Sequence, residues 1–256
     1  MTRKYEFDAE AVGLAWSRGS QEEDNQEDGT TADIFARYRP PFDLTSDMLF
    51  AFALCQTAPL RDAFPEIPFL SLPGKTPLVI WFSRVKKICY HDSRGVRRCI
   101  DGKETGVYNE LNVVVLLRQR AFFVSGIYAT SDLTIRVGHG YGMPKQPTMM
   151  NVQGEQKWFC SSMKDGTQQS FVRARLLGAG KLLGGVASHF WPRRIWPARF
   201  PSGSAVRPLL QATPWVQIVY VRRGQLALEA TWLPKAVALL PIGFYLPDLR
   251  MQLPPP

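Results

Sequence analysis

"LNVVVLLRQRAFFVSGIYA" occupies residues 111–129, and its reading decides the fold. Two apolar runs, "LNVVVLLRQ" and "AFFVSGIYA", meet at the polar break Arg118–Arg120. Each has the length of a strand, and their Val, Ile, Phe and Tyr suit a pleated, half-buried surface. The same signal repeats outward. "PLVIWFSR", "RVKKICYHD" and "VRRCID" fall around the turn "DSRG"; "KWFCSSM" and "QSFVRARLL" flank Asp165-Gly166, a strong hairpin pair; "WVQIVYVRR" and "QLALEATWL" flank Gly224. Twenty prolines and twenty glycines punctuate these runs, and long helical periodicity is scarce. The expectation is a mainly β domain with an antiparallel sheet, as a barrel or sandwich, and a few short helices. "TAPLRDAFP" (57–65) reads as one such helix, ended by Pro65, and "YEFDAEAVGLAWSR" as another. "LTSDMLFAF" (44–52) offers a weaker cap at Thr45 or Ser46, and "SDLTIRVGH" (131–139) reads as a further strand.

Charge divides the chain unevenly. Residues 1–33 carry nine Asp and Glu against three Lys and Arg, leaving 13 acidic against 28 basic residues in the rest. The first segment reads as an acidic, partly disordered extension, and 34–256 as the folded domain. A basic body suits anionic partners: nucleic acid, a membrane surface or small carboxylates. The segment "RVKKICYHDSRGVRR" (84–98) could track phosphates, yet it has neither a recognition helix nor repeated aromatics, so a solvated hairpin is the better reading. The longest apolar runs, 48–54, 112–117 and 236–246, are shorter than the roughly 20 residues a helix needs to cross a bilayer. With no leader recognised, the expectation is a cytoplasmic protein that does not enter a membrane. Its four cysteines, Cys55, Cys89, Cys99 and Cys160, form no CxxC pair and read as reduced thiols.

Little conventional site chemistry is available. His91, His139 and His189 lie far apart, so no metal site is expected. "GHGYG" (138–142) lacks dinucleotide-site spacing, and "SGSA" (202–205) has no assignable base. One lysine stands out: Lys145 in "YGMPKQP" (141–147), between Pro144 and Gln146 after a glycine-rich turn. Prolines on either side stiffen the corner, and Met143, Met149 and Met150 are apolar neighbours. Burial disfavours an ammonium, so a lysine enclosed there would attack a carbonyl as a neutral amine. An exposed loop lysine is the plain alternative.

"YGMPKQ" resembles the segment G-R-E-x-x-G-x-P-K-K of the acetoacetate decarboxylase family, whose first lysine forms a Schiff base with a β-keto acid. "YNE" (108–110) is similar to the family's Y-x-E segment with a pocket glutamate. "AVALLPIGFYLPDLRMQL" (236–253) looks like its closing hydrophobic segment, so the likeness runs over about 45–253. The resemblance implies a sheet curled into a cone-like barrel with the lysine pointing inward. It also implies a homo-oligomer and a lyase that needs no cofactor. Lys145 and Glu110 would be catalytic; Tyr108, His139, Tyr141, Met143 and Gln146 would lie toward the substrate.

The departures bear on the substrate. Gln146 replaces the second lysine, and Val137, Gly138 and His139 stand where the family has G-R-E. The family's early-strand arginine, thought to meet the substrate carboxylate, has no equivalent between Pro40 and Leu60; the aligned position falls near Leu54 or Cys55. A buried carboxylate without a cation is costly. The expectation is therefore Schiff-base chemistry on an oxo (keto) compound of decarboxylase, aldolase or dehydratase type, other than acetoacetate. The alternatives are a non-catalytic barrel binding an apolar ligand and, less favoured, a basic nucleic-acid-binding protein.

Overall fold

Residues 39–56 alternate in burial, and that alternation builds the centre of the fold. Strand β1 (Arg39–Gln56) buries Leu49, Ala51, Ala53 and Cys55 on one face, while Phe50 and Phe52 pack on the other. Side chains two apart share a face of a strand, and this period overrides the local cap offered by Thr45 and Ser46: residues 44–52 are strand, not helix. The computed structural model describes residues 31–102, 107–118, 121–153, 157–164, 167–175, 197–211, 216–220, 225–226 and 237–256. The acidic stretch 1–30 and the helix read over "YEFDAEAVGLAWSR" lie outside them; Thr31–Arg37 forms helix α1.

After β1 come α2 (Thr57–Ala63), β2 (Lys75–His91), β3 (Arg97–Asp101), β4 (Tyr108–Leu116) and β5 (Phe122–Ala129). Helix α3 (Asp132–Gly140) leads into β6 (Lys145–Pro147), β7 (Met149–Gln153), β8 (Lys157–Lys164) and β9 (Thr167–Arg175). Short strands follow: β10 (Ala198–Arg199), β11 (Ala205–Val206), β12 (Leu209–Leu210), β13 (Gln217–Tyr220) and β14 (Gln225–Leu226), before the long β15 (Val237–Leu253). The main sheet runs β11-β10-β5-β4-β2-β1-β15-β12, with β3 on β2, β6 on β5, and β13 and β14 on β15. It curls into a half-barrel, so the chain is β-rich with few short helices, as expected. β7, β8 and β9 form a second sheet. β8 and β9 pair as far as Lys164 and Thr167, the register a two-residue turn at Asp165-Gly166 requires, although that turn lies outside the described residues.

The sequence reading needs further corrections. "SDLTIRVGH" is helix α3, not a strand: the Ser131 side chain accepts from Thr134 N at its N-terminus, and Asp132 suits the first turn. These end effects outweigh the strand preference of Thr134, Ile135 and Val137. The pairing is not wholly antiparallel, because β5 takes β6 and β10 in parallel. Gly224 lies outside the described residues; on either side of it, β13 and β14 each pair with β15. Finally, Cys89 and Cys99 form a disulfide rather than two thiols. They face each other across β2 and β3, whose turn is tied by the Asp92 carboxylate accepting from Arg94 N and Val96 N. Cys55 is a buried free thiol, pushed up to about 11 by burial.

Candidate active site

Lys145 owes its place to the corner that precedes it. α3 ends at Gly140, and Gly142 turns the chain with a φ of +70°. A side chain there would come within 2.8 Å of Ser202 Oγ and nearer still to Ser204 Oγ. Those serines clasp the turn: Ser202 Oγ donates to the Gly142 carbonyl (2.8 Å) and Ser204 Oγ to that of Tyr141 (2.9 Å). "SGSA" is therefore a brace for the lysine corner. Beyond it, Ile127 N donates to the Pro144 carbonyl (3.1 Å), and Lys145 pairs with Ile127 in the parallel β5–β6 ladder. His139 Nε2 lies 2.9 Å from the Lys145 carbonyl oxygen. A carbonyl only accepts, so this nitrogen carries the hydrogen.

The side chain of Lys145 is 7% exposed and lies against α3. Gly138 makes room for it: a Cβ there would stand 2.7 Å from Lys145 Cε and 2.9 Å from Cγ, and closer to Cδ. The amine reaches across to β4, where Nζ donates to Glu110 Oε2 at 2.6 Å. The other carboxylate oxygen, Oε1, accepts from Asn112 Nδ2 at 2.9 Å. Tyr108, Glu110 and Asn112 are two apart on β4 and so share a face. The Tyr108 ring centroid lies 5.6 Å from Nζ, within cation–π range. Burial, reinforced by the Glu110 charge, pushes the Tyr108 phenol well above its ordinary value, so it stays neutral.

The remaining residues singled out by sequence are placed differently. Met143 is buried beside Tyr141 in an apolar cluster with Phe42 and Ile127. The Tyr141 ring meets Phe35 edge-on at 5.3 Å, and its hydroxyl donates to the Pro254 carbonyl, tying the corner to the C-terminal segment. Burial pushes that phenol up as well. Gln146 is exposed, because alternation along β6 turns it away from the side taken by Lys145. Asn112 and Gly138 were not singled out. Asn112 carried a signal, two residues after Glu110 on one strand; Gly138 belongs to the glycine-rich turn whose glycines permit close approach, but its specific role beside the lysine was not legible while 131–139 read as strand.

Several charges elsewhere pair with one another. In the basic segment, Arg84 and Lys86 bind the buried Asp47 (2.9 and 2.7 Å), Arg97 binds Asp43 (2.8 Å) and Arg98 binds Asp92 (3.0 Å). Among the described residues no group of three or more His, Cys, Asp or Glu is placed to hold a metal, and no helix is long and apolar enough to cross a membrane.

No family model and no curated protein matches the chain. Solved structures do. A structure of acetoacetate decarboxylase is similar over 86% of this chain and 89% of its own, with a TM-score of 0.53 and 15% identity. An acetoacetate decarboxylase from Legionella pneumophila matches over 91% and 96%, at 0.48 and 16%. The enduracididine biosynthesis enzyme MppR, with HEPES buffer bound, matches over 84% and 86%, at 0.48 and 13%. In fold, the chain is similar to acetoacetate decarboxylase.

Proposed function

We propose that the chain is a Schiff-base-forming lyase acting on an oxo compound, with Lys145 as the nucleophile. The carrying observation is the 2.6 Å contact between Lys145 Nζ and Glu110 Oε2 in a buried setting. A nucleophilic lysine must be unprotonated and held at one angle. Glu110 is placed to accept the ammonium proton, and Asn112 fixes the carboxylate so that the receiving oxygen faces the amine. The freed amine attacks the carbonyl carbon. The C–N bond forms as the π pair moves to oxygen, which takes the proton back from Glu110. Loss of water from this carbinolamine leaves an iminium. The iminium accepts the electron pair of a breaking bond, whether to CO2, to a departing aldehyde carbon, or through α-proton loss ahead of β-hydroxide departure. Protonation where an enamine forms, followed by hydrolysis, releases the product and Lys145. No other cofactor is needed. Acetoacetate fits poorly, because the stretch 40–60 holds no lysine or arginine and Gln146 is exposed. As the resemblance implies, the proposed assembly is a homo-oligomer; light scattering at the 28.9 kDa monomer mass would refute it.

The test is reductive trapping. The protein is incubated with small ketones and keto acids, reduced with cyanoborohydride, digested and mapped by mass. An adduct on Lys145 that falls in Glu110→Gln supports the mechanism. The closed ion pair favours a second reading, a non-catalytic barrel that binds an apolar ligand; absence of any Lys145 adduct would leave that one standing.

A further inference from the structure

The pairing registers place residues of neighbouring strands in rows across one face of the sheet. One row runs Phe244, Phe50, Trp81, Asn112, Ile127 and Lys145 over β15, β1, β2, β4, β5 and β6. The adjacent row runs Leu246, Met48, Ser83, Glu110 and Ala129. The next runs Leu249, Ser46, Val85 and Tyr108. Across these three rows the only charged residues are Lys145 and Glu110. Among the described residues of these rows, a substrate carboxylate would meet Glu110 and no cation beyond the lysine that must attack. Such a group is costly to bury.

Aromatic surface stands where a cation is missing. The amine sits over β4, held by Glu110, and the next strand presents Trp81 and Ser83. Trp81 Nε1 donates to Ser83 Oγ at 2.8 Å, and Ser83 is directly opposite Glu110. This bond fixes the indole plane beside the reacting pair. Phe50 lies 5.2 Å from the indole at a 35° tilt, and Phe52 meets Phe244 at 5.6 Å. Trp81 is half-buried, which leaves part of its side chain as surface for a ligand.

We propose that the site takes an uncharged oxo compound bearing an aryl group, with its carbonyl carbon at Lys145 Nζ and its ring against the indole of Trp81. This rests on the Schiff-base reading and narrows it, since a substrate without a carboxylate cannot lose CO2. For an aryl β-hydroxy ketone the step balances within the site. The hydroxyl proton passes to the Glu110 carboxylate, and the carbon–carbon bond breaks toward the iminium. An aryl aldehyde leaves, and the enamine takes the proton back at carbon. Water then releases a methyl ketone and free Lys145.

The experiment compares trapping of Lys145 by 4-phenyl-2-butanone, 2-butanone and acetoacetate in wild type, Trp81→Phe and Trp81→Leu. The phenyl ketone is expected to half-label Lys145 at about tenfold lower concentration than 2-butanone, from the burial and stacking of one ring. Acetoacetate is expected to show no advantage over 2-butanone. The preference for the phenyl ketone should persist in part in Trp81→Phe and collapse in Trp81→Leu. Equal labelling by the two ketones in wild type, or a preference unchanged in Trp81→Leu, would overturn the proposal while leaving the Schiff base standing. Labelling of Lys145 by no ketone would overturn the Schiff-base reading, and this one with it.

Discussion

Replacing Gly138 by alanine tests whether the position of Lys145 matters to its chemistry. Gly138 lies within α3 and its φ is not positive, so the glycine serves space rather than backbone freedom. An added methyl would approach Lys145 Cε to 2.7 Å and Cγ to 2.9 Å, with Cδ nearer. Carbon atoms rest at about 3.5–4.0 Å, so the lysine stem must shift by about 1 Å. That shift acts directly on the 2.6 Å contact with Glu110. Misplacement of a reacting group by 1 Å costs on the order of 100-fold in rate. Stability should change far less: alanine is favoured over glycine in a helix by about 1 kcal/mol, against an overpacking cost of roughly 1–3 kcal/mol. The assay is the rate of cyanoborohydride trapping at Lys145, with a thermal melt on the same sample. Gly126→Ala is the control, because the nearest atoms to its added methyl are those of the Tyr128 side chain, at an ordinary contact distance of 3.5 Å. Trapping in Gly138→Ala within about threefold of wild type, with the fold intact, would show that the lysine tolerates displacement and would refute the reasoning.

Lys145→Met should destabilise the protein by up to about 3–5 kcal/mol in urea melts, because it strands the Glu110 carboxylate, and adding Glu110→Leu should restore most of the loss; a double variant as unstable as the single would show that the stranded carboxylate is not the cause. Asp43 joins strands through Gln252, Arg97 and Gln211. Burial raises its carboxyl, but these hydrogen bonds and the Arg97 charge outweigh it, and the net direction is down. A depressed carboxyl contributes stability that is present above its unfolded value, near pH 4, and is lost as pH falls through the folded value. Asp43→Asn should therefore flatten the acid limb of a stability–pH curve below about pH 4, and an unchanged limb would contradict this. Cys55, with its thiol near 11, should resist iodoacetamide around pH 8 in the native protein, and an unreduced digest should contain Cys89 linked to Cys99.

The strands were legible because their signal is local. The apolar runs of β2, β4 and β5 carry their own period and length, and "TAPLRDAFP" its own stop. The disulfide was legible in principle: once β2 and β3 flank the turn at 92–96, every step back from the turn on one strand is matched by a step forward on the other, which sets Cys89 against Cys99. Reading the cysteines by motif and compartment missed it. α3 was missed because Thr134, Ile135 and Val137 favour a strand, whereas one serine and one aspartate at its start decide for a helix. That error hid Gly138, since a residue that gives way to a lysine seven positions later is recognisable only when the helix and the corner are both in place. Trp81 was hidden for a related reason: its neighbourhood to Glu110 comes from the register of β2 against β4, which no local pattern encodes.

The short contact between Lys145 and Glu110 bears equally on a structural ion pair and on a nucleophile with its base, and its surroundings separate the two. An ion pair kept for stability gains from further partners, as Asp47 does with Arg84 and Lys86 and Lys86 with Asp248. Lys145 and Glu110 are placed otherwise. Each has the other as its ionic partner; Asn112 holds the carboxylate, the neutral ring of Tyr108 stands beside the amine, and uncharged rows extend across three further strands. In such surroundings the charges are poorly solvated. A proton moving along the 2.6 Å hydrogen bond turns two charged groups into two neutral ones without displacing any side chain. On the proposed Schiff-base reading, Glu110 is the group that takes this proton and returns it to the substrate oxygen. Glu110→Gln separates the possibilities on this ground. It preserves shape and a hydrogen-bonding oxygen but removes the proton store. A merely structural pair predicts lost stability with Lys145 trapping preserved or raised, whereas a base predicts slowed trapping and a flattened dependence of its rate on pH.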